Sequence, residues 1–228
     1  MDFASPAFWT ALGSIVLANI LLSGDNAVVI AMAARGLPAR HQRRAVVFGS
    51  AAAVAMRVVL TLLAVRLLTL PGLKLVGGVL LLWIGVKLLL EDERVHAQAE
   101  ATSSIAAAVR TILLADLVMS LDNVLAVAAA AQGDSLLLAL GLVISIPLIV
   151  FGSTLLLGVM ARWPIIITAG AALLGWLAGE MMLEDPLFER LFAPAPHAWV
   201  SAGGVLGAVL VVAVGTWRQR RAAVKARA

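Results

Sequence analysis

Cysteine is absent from the sequence, and histidine is scarce, with three residues in 228. The absence of cysteine excludes disulfides, thiolate metal sites and thiol redox chemistry, although it leaves the cellular compartment open. All three histidines, His41, His96 and His197, lie in predicted loops. A zinc site built from clustered histidines within the apolar segments is therefore not expected.

Charged residues are also rare. They make up 13% of the chain, whereas hydrophobic residues make up 62% and the mean hydropathy is +1.04. A soluble globular domain is only about half apolar, so the composition predicts a polytopic membrane protein. The sequence has no Walker motif, no visible nucleophile–base–acid arrangement and no sign of a resident cofactor. ATP-driven pumping by this chain alone is excluded, and an enzyme is not expected.

A transmembrane helix needs about 20 mostly apolar residues to cross about 30 Å of hydrocarbon. Seven stretches meet this requirement, near residues 7–33, 45–69, 72–90, 107–131, 135–160, 163–183 and 198–217. Arg35 is the first basic residue, so the first stretch is expected to be a retained span and not a cleaved signal peptide. We predict an all-α integral membrane protein with seven transmembrane helices in one domain, residues 1–228.

Two parts of the chain are repeated. The run from Ser23 to Asn26 returns as the run from Ser120 to Asn123 at a constant shift of 97, and matches between 77–92 and 170–185 keep a shift of 93. Each copy contains three spans, so the second copy crosses the membrane in the opposite sense and forms an inverted repeat. The predicted segments are repeat one 7–90, a cytoplasmic linker 91–106, repeat two 107–183, an outer loop 184–197, a seventh helix 198–217 and a basic tail 218–228.

Basic residues at the span ends predict the orientation. They cluster after span one and after span seven, at Arg35, Arg40, Arg43, Arg44, Arg218, Arg220, Arg221, Lys225 and Arg227. Because cytoplasmic loops carry an excess of Lys and Arg, both clusters are expected inside, and an odd number of spans places the N-terminus outside. The net charge of +4 thus indicates membrane topology and not nucleic-acid binding.

Acid and amide side chains stand inside the apolar spans one and four. A charge at the bilayer centre costs roughly 2.5–3.5 kcal/mol and therefore needs a partner, such as a bound cation. Carboxylate, amide and hydroxyl donors are hard ligands, which favour Mn²⁺, Mg²⁺ or Ca²⁺ over Cu⁺ or Zn²⁺. The predicted metal ligands are Asp25, Asn26, Asp116, Asp122 and Asn123, and the accessory residues are Asn19, Ser23 and Ser120. The alternative interpretation is that these side chains only hydrogen-bond helices together.

Helical geometry does not bring these donors together by itself. On an ideal helix Asp116, Ser120 and Asn123 share one face, whereas Asp122 points about 120° away. Convergence needs packing on two sides or a local unwinding, and Gly24 favours unwinding in span one because glycine is a poor helix former. We therefore expect a break in span one more than in span four.

Arg57 is the other intramembrane charge of interest. It falls in the middle of span two, too deep to reach the surface easily, so it should pair with an acid or with carbonyl groups. Two roles remain open. Arg57 is either a fixed structural counter-charge or a gate that neutralises Asp25 or Asp122 when the cation leaves.

The polar runs resemble those of a known family. The segments Gly24-Asp25-Asn26-Ala27 and Ser120-Leu121-Asp122-Asn123-Val124, on two spans of a chain of this length, resemble the TerC family and its short YjbE-type branch over about residues 8–217. The resemblance implies a multi-pass protein of the bacterial inner membrane that exports Mn²⁺. It also implies that the two Asp-Asn pairs carry the metal, with Asp116 as a participant.

The favoured function is an alternating-access exporter of a divalent cation, most readily Mn²⁺ and otherwise Ca²⁺ or Mg²⁺, embedded in the lipid bilayer. Two other functions remain open. The protein could be a membrane partner of the secretion machinery that supplies metal to exported proteins. It could also export an amino acid, with Asp25 or Asp122 binding the ammonium group and Arg57 the carboxylate.

Overall fold

The structure is a computed structural model that describes residues 6–21, 24–67, 70–97, 105–130, 135–192 and 196–227. Every regular element among these residues is an α-helix, because a chain in lipid must satisfy its backbone hydrogen bonds within each segment. The helices are α1 (Pro6–Leu21), α2 (Gly24–Ala34), α3 (Ala39–Leu67), α4 (Leu73–Ala97), α5 (Ile105–Ala130), α6 (Ser135–Arg162), α7 (Ile165–Leu183), α8 (Pro186–Phe192) and α9 (His197–Arg227). The prediction of an all-α protein is confirmed.

Five of these helices contain a segment long and apolar enough to cross a membrane. The segments are Ala39–Thr61, Leu73–Leu90, Ala139–Arg162, Ile165–Leu183 and His197–Arg221, and they match predicted spans two, three, five, six and seven. Predicted span one covers α1 and the short apolar helix α2, between which residues 22–23 lie outside the described part, and predicted span four coincides with α5. The chain is therefore an integral membrane protein, and the count of seven spans stays a prediction.

Several helices differ from the predicted segments at their ends. α4 continues to Ala97, inside the predicted linker 91–106, and α9 continues to Arg227, through most of the predicted basic tail. Helix α8 lies within the predicted outer loop 184–197. Hydropathy ends a span where charged residues begin, but Glu, Arg and Ala are good helix formers, so the helix outlasts the apolar segment.

The chain forms two compact units. The first contains α1, α2, α3, α5 and the larger part of α6, and within it α3 packs along α5 while α1 and α2 contact α5. Gly49 on α3 lies against Ile112 on α5, and further along both helices Arg57 bonds to Asp116 and Ser120. Residue numbers rise along both helices from the first contact to the second, so α3 and α5 run in the same direction. This is expected of spans two and four in a chain that crosses the membrane back and forth.

Helix α6 runs alongside α1 and α2 in the same unit. A Cβ atom added to Gly141 would lie 2.4 Å from a side-chain carbon of Ile15, and one added to Gly152 would lie 3.9 Å from the Cβ of Ala27. Residue numbers increase in the same direction along α6 and along α1 and α2 between these two contacts, so α6 is parallel to them. The N-terminal turn of α2 is therefore next to the middle of α6.

The second unit contains α4, α7, α8 and α9, and glycines make its closest helix contact. A Cβ atom added to Gly179 on α7 would lie 2.0 Å from the carbonyl oxygen of Gly203 on α9, and one added to Gly207 would lie 2.0 Å from that of Gly175. The two Gly-x-x-x-Gly segments thus bring the backbones of antiparallel α7 and α9 into direct contact. Such spacing is typical of membrane helix interfaces, where small residues permit close packing.

Asp185 joins the starts of two helices in the second unit. Its buried carboxylate accepts the N–H of Gly72 at 2.8 Å and of Leu75 at 3.0 Å, at the start of α4, and the N–H of Leu187 at 2.7 Å, at the start of α8. Gly72 has a φ of +86°, which favours glycine in the turn before α4. Burial raises the pKa of the Asp185 carboxyl, but the N–H donors outweigh it and leave this pKa below its ordinary value.

Candidate functional site

The first polar run begins helix α2. Gly24 is its first residue and Asp25 lies in its first turn, where the Asp25 carboxylate accepts the N–H of Asn26 at 2.7 Å. An acid is favourable here because the first N–H groups of a helix have no partner within the helix and the helix dipole is positive at this end. Leu22 and Ser23 lie outside the described residues, so the expected break and the accessory role of Ser23 remain predictions.

Asn26 is the unusual residue of this turn. Its side chain is only 3% exposed, and neither its amide oxygen nor its amide nitrogen has a hydrogen-bond partner among the described residues. Burying an amide without a partner costs about 1–3 kcal/mol, so native proteins rarely do this without a reason. A binding role for Asn26 is one such reason.

Two buried hydroxyl groups in the same unit also lack a hydrogen-bond partner among the described residues. Ser50 on α3 and Ser153 on α6 are buried, and the hydroxyl of each has no hydrogen-bond partner in the described part of the chain. Ser153 follows Gly152, the α6 residue beside Ala27 at the start of α2. Sequence reasoning missed both serines. The available signal was the dipeptide Gly-Ser, which occurs inside predicted spans two and five.

Three side chains linked by hydrogen bonds join α3 to α5. Arg57 is 2% exposed, its Nη2 donates to Asp116 Oδ1, and its Nε donates to the hydroxyl of Ser120 at 2.9 Å. Ser120 in turn donates to Asp116 Oδ2 at 3.1 Å. Among the described residues, Arg57 and Ser120 donate to the two oxygens of the Asp116 carboxylate, and the buried guanidinium and carboxylate neutralise each other.

The half-buried Asp25 lies within the electrostatic reach of this network. It is attracted by Arg57 and repelled by Asp116. The three side chains together carry one net negative charge, and the uncharged amide of Asn26 stands beside them. A cation near Asp25 and Asn26 would be stabilised by this excess of negative charge.

The structure brings five of the predicted residues into the first unit with described side chains: Asp25, Asn26, Arg57, Asp116 and Ser120. Helix α5 is continuous through Asp122 and Asn123, and Asn19 lies on α1. The side chains of Asp122, Asn123 and Asn19 are outside the described part of the structure, so their roles stay predictions. The structure pairs Arg57 with the acid Asp116, and the role in which Arg57 neutralises Asp25 or Asp122 after the cation leaves stays a prediction.

No group of three or more His, Asp or Glu side chains is close enough to hold a metal ion within the described ranges. Asp25 adjoins Asn26, and Asp116 lies within the electrostatic reach of Asp25. A full set of about six oxygen ligands for Mn²⁺ or Mg²⁺ would need amide, hydroxyl or further carboxylate donors beside these two acids. The amide of Asn26 and the hydroxyl of Ser153 are donors of the appropriate hard type.

Known proteins resemble the chain along most of its length. The sequence model of the family described as "Integral membrane protein TerC family" matches residues 4–223. The uncharacterized membrane protein YjbE of Bacillus subtilis is 46% identical over 179 residues, which cover 78% of this chain and 82% of YjbE. The uncharacterized membrane protein YceF of the same organism is 28% identical over 137 residues, covering 56% of this chain and 53% of YceF. No solved structure matches the chain.

Proposed function

Because the chain belongs to the TerC family of integral membrane proteins, we propose that it is a carrier that exports a divalent cation, with Mn²⁺ as the preferred substrate. The observation that carries this proposal is the start of α2. There the Asp25 carboxylate adjoins the buried amide of Asn26, which has no hydrogen-bond partner among the described residues, and Asp116 lies within the electrostatic reach of Asp25. A cation can supply the partner that this amide oxygen lacks, and the acids compensate its charge.

The donor chemistry supports a hard divalent ion. Asp25 and Asp116 carry two negative charges, one of which Arg57 neutralises while it is bonded to Asp116, so the Asp122 carboxylate is proposed to complete the charge balance of a divalent cation. Asp122 and Asn123 on α5 are proposed to complete the ligand set, with Asn19 and Ser23 as accessory donors, whereas the Ser120 hydroxyl bonds to Arg57 and Asp116. The sequence contains no cysteine that would favour a soft metal.

Transport is proposed to follow alternating access between inverted repeats. In the second unit α4 is antiparallel to α7, because Gly78 lies against Met182 and Gly85 against Leu174. These two helices are predicted spans three and six, and antiparallel packing is what an inverted repeat requires of them. The repeats would rock about the acid and amide residues, which load the cation inside and release it outside.

The proposed location is the bacterial inner membrane, with the N-terminus outside and the C-terminus in the cytoplasm. Exposed arginines at the start of α3 and near the end of α9 support this orientation: Arg40, Arg43, Arg44, Arg218, Arg220 and Arg221. Basic residues at span ends are held on the cytoplasmic side. A role in supplying metal to exported proteins would use the same transport step.

Manganese uptake into everted membrane vesicles tests the proposal. Vesicles holding the wild-type chain should accumulate Mn²⁺, and Asp25→Asn and Asn26→Leu should each reduce the rate at least tenfold, because each removes an oxygen donor or the charge that balances the cation. Glu184→Gln is the matched control. It removes an exposed acid of the second unit, whose carboxylate is 3.5 Å from Lys74 Nζ, and should leave uptake unchanged.

Competitors in the same vesicles separate the substrate classes. Excess Mg²⁺ and Ca²⁺ rank the divalent ions, and lysine tests the amino-acid alternative. Uptake that does not depend on Asp25 and Asn26 would refute the site. A different result would be that the folded wild-type protein transports lysine and no Mn²⁺, with Asp25→Asn and Asn26→Leu each inhibiting the lysine flux. This result would identify the substrate as an amino acid and not a metal ion.

A further inference from the structure

Arg57 forms an ion pair with Asp116, one of the carboxylates proposed to bind the transported cation. The guanidinium lies inside the first unit, 2% exposed, and bonds to Asp116 and Ser120 on the neighbouring helix. Asp116 lies within the electrostatic reach of Asp25 and is a predicted ligand of the cation. The same oxygen atoms therefore have two potential cationic partners, one of which is covalently attached to the protein.

We propose that Arg57 is a tethered counter-cation that competes with the transported cation for Asp116, so that binding of one displaces the other. This inference rests on the proposed function. It assigns Arg57 to the transport cycle and identifies Asp116 as the carboxylate for which the two cations compete.

The first step of the argument is the occupancy of Asp116. Its Oδ1 accepts from Arg57 and its Oδ2 accepts from Ser120, whose oxygen accepts in turn from Arg57 Nε. A metal ion that binds this carboxylate would approach the same two oxygens and lie within a few ångströms of the positive guanidinium. Two cations at that separation in a buried site repel strongly, so the guanidinium must withdraw.

The second step concerns where the guanidinium goes. A buried arginine without an acid is costly, so a displaced Arg57 needs another carboxylate. Asp25 attracts Arg57 and is the other described acid of this region. Arginine has a long, flexible side chain, and a transfer of Arg57 between Asp116 and Asp25 keeps its charge compensated.

The third step is the consequence for binding and release. A tethered cation lowers the apparent affinity for the substrate, because part of the binding energy is used to displace it. The same competition accelerates release, because Arg57 returns to Asp116 as the metal leaves. A purely structural counter-charge predicts the opposite, since its loss would loosen the site and weaken binding.

The test measures Mn²⁺ binding to the purified full-length chain in lipid nanodiscs by the electron paramagnetic resonance signal of the free ion. Arg57→Met keeps the length of the side chain and removes its charge. We expect it to bind Mn²⁺ at least about tenfold more tightly than the wild type, which corresponds to about 1.4 kcal/mol. Transport by this variant should fall, because release is slowed.

Two controls distinguish competition from general electrostatics and from packing. Arg110→Met removes an exposed arginine of α5 and should not change the affinity. Ser120→Ala frees Asp116 Oδ2 and removes the acceptor of Arg57 Nε, so it should tighten binding severalfold. Ser145→Ala is its matched control, because the equally buried Ser145 hydroxyl bonds, within the described part of the chain, to the carbonyl of Gly141 on its own helix.

Arg57→Met leaves Asp116 buried without its ion-pair partner and could fold poorly, so a second measurement is needed. The competition predicts that Mn²⁺ raises the melting temperature of Arg57→Met by more than it raises that of the wild type. The double variant Arg57→Met, Asp116→Asn has no buried unpaired charge, and it should fold and lose the gain in affinity.

The outcomes separate this inference from the proposed function. Mn²⁺ transport by the wild type without tighter binding in Arg57→Met would overturn the inference and leave the proposed function standing. Tighter binding of a divalent ion in Arg57→Met, without any transport by the wild type, would support the inference and overturn the proposed export. Binding that is equal or weaker in Arg57→Met, with no additional stabilisation by Mn²⁺, assigns Arg57 a structural role only.

Discussion

At the residue scale, buried polar atoms with and without partners have different functions in this protein. Asp185 is buried with its carboxylate bonded to the N–H groups of Gly72, Leu75 and Leu187, so it stabilises the folded chain. Asn26 is buried with neither amide atom paired among the described residues, so it destabilises the fold unless a ligand binds. Polar side chains of the first kind hold helices, and those of the second kind are candidates for binding.

Asp185→Ala should lower the stability of the protein by about 1–3 kcal/mol near neutral pH, because it removes the caps of two helices. Thermal unfolding in detergent, followed by fluorescence-detected size exclusion, measures this. Glu184→Gln is the neighbouring control, since its exposed ion pair with Lys74 contributes at most about 1 kcal/mol.

The contribution of Asp185 should depend on pH. The folded pKa of this carboxyl is lower than its unfolded value of about 3.9, so its stabilisation is fully present above the unfolded value and is lost as the pH falls through the folded pKa. The difference in melting temperature between the wild type and Asp185→Ala should therefore be constant near neutral pH and shrink in acid. A difference that grows on acidification would contradict this assignment.

At the element scale, the second unit depends on the contact between α7 and α9. Their glycines bring carbonyl oxygens of one helix to the position that a Cβ atom of the other would occupy. Without a hydrophobic force between helices in lipid, such close packing supplies dispersion contacts and fixes their relative position. At Gly175, Gly179 and Gly207 a methyl group must move the backbone, since the nearest atoms of the other helix are backbone atoms.

Gly179→Ala should destabilise the protein by about 1–3 kcal/mol, because its Cβ would overlap the carbonyl of Gly203. Gly158→Ala on α6 is the matched control. Nothing lies within 4 Å of a Cβ at that position, and alanine is the better helix former, so this variant should be as stable as the wild type or slightly more stable. Equal melting temperatures for both variants would show that α7 and α9 are not in backbone contact.

At the scale of the whole molecule, the contacts within each unit agree with a chain that crosses the membrane back and forth. Helices α3 and α5 are parallel, and α4 and α7 are antiparallel. In the predicted order, α3 and α5 are spans two and four, which two membrane turns separate, so they should be parallel. Helices α4 and α7 are spans three and six, which three turns separate, so they should be antiparallel. The side of the membrane on which each terminus lies is predicted from the basic residues alone.

Cysteine labelling tests that orientation, because the natural chain has no cysteine and each variant carries a single thiol. Leu70→Cys, in the exposed turn before α4, should react with a membrane-impermeant maleimide added to intact cells. Arg44→Cys, exposed near the start of α3, should react only after the cells are permeabilised. The reverse pattern would invert the topology and with it the proposed direction of transport.

Much of the fold could be predicted from the sequence. Long apolar segments must be helical in lipid, so composition and length placed the helices to within several residues. Their ends were less predictable. The triplet Leu-Glu-Asp occurs at 90–92 and 183–185, yet α4 continues to Ala97 while α7 ends at Leu183. Pro186, which follows the second triplet, cannot continue α7, and a glutamate follows the first.

By itself the sequence determined the fold class, the family resemblance and the residue types of the candidate site, because hydropathy, charge and short motifs are local properties of the chain. Only the tertiary structure decided that Arg57 pairs with Asp116 and Ser120 and that Asp185 caps two helices. It also decided that Asn26, Ser50 and Ser153 are buried with no partner among the residues that the structure describes. These facts depend on which helix faces meet and how far apart they are. Residues distant in the chain meet through the packing of whole helices, which no local pattern specifies.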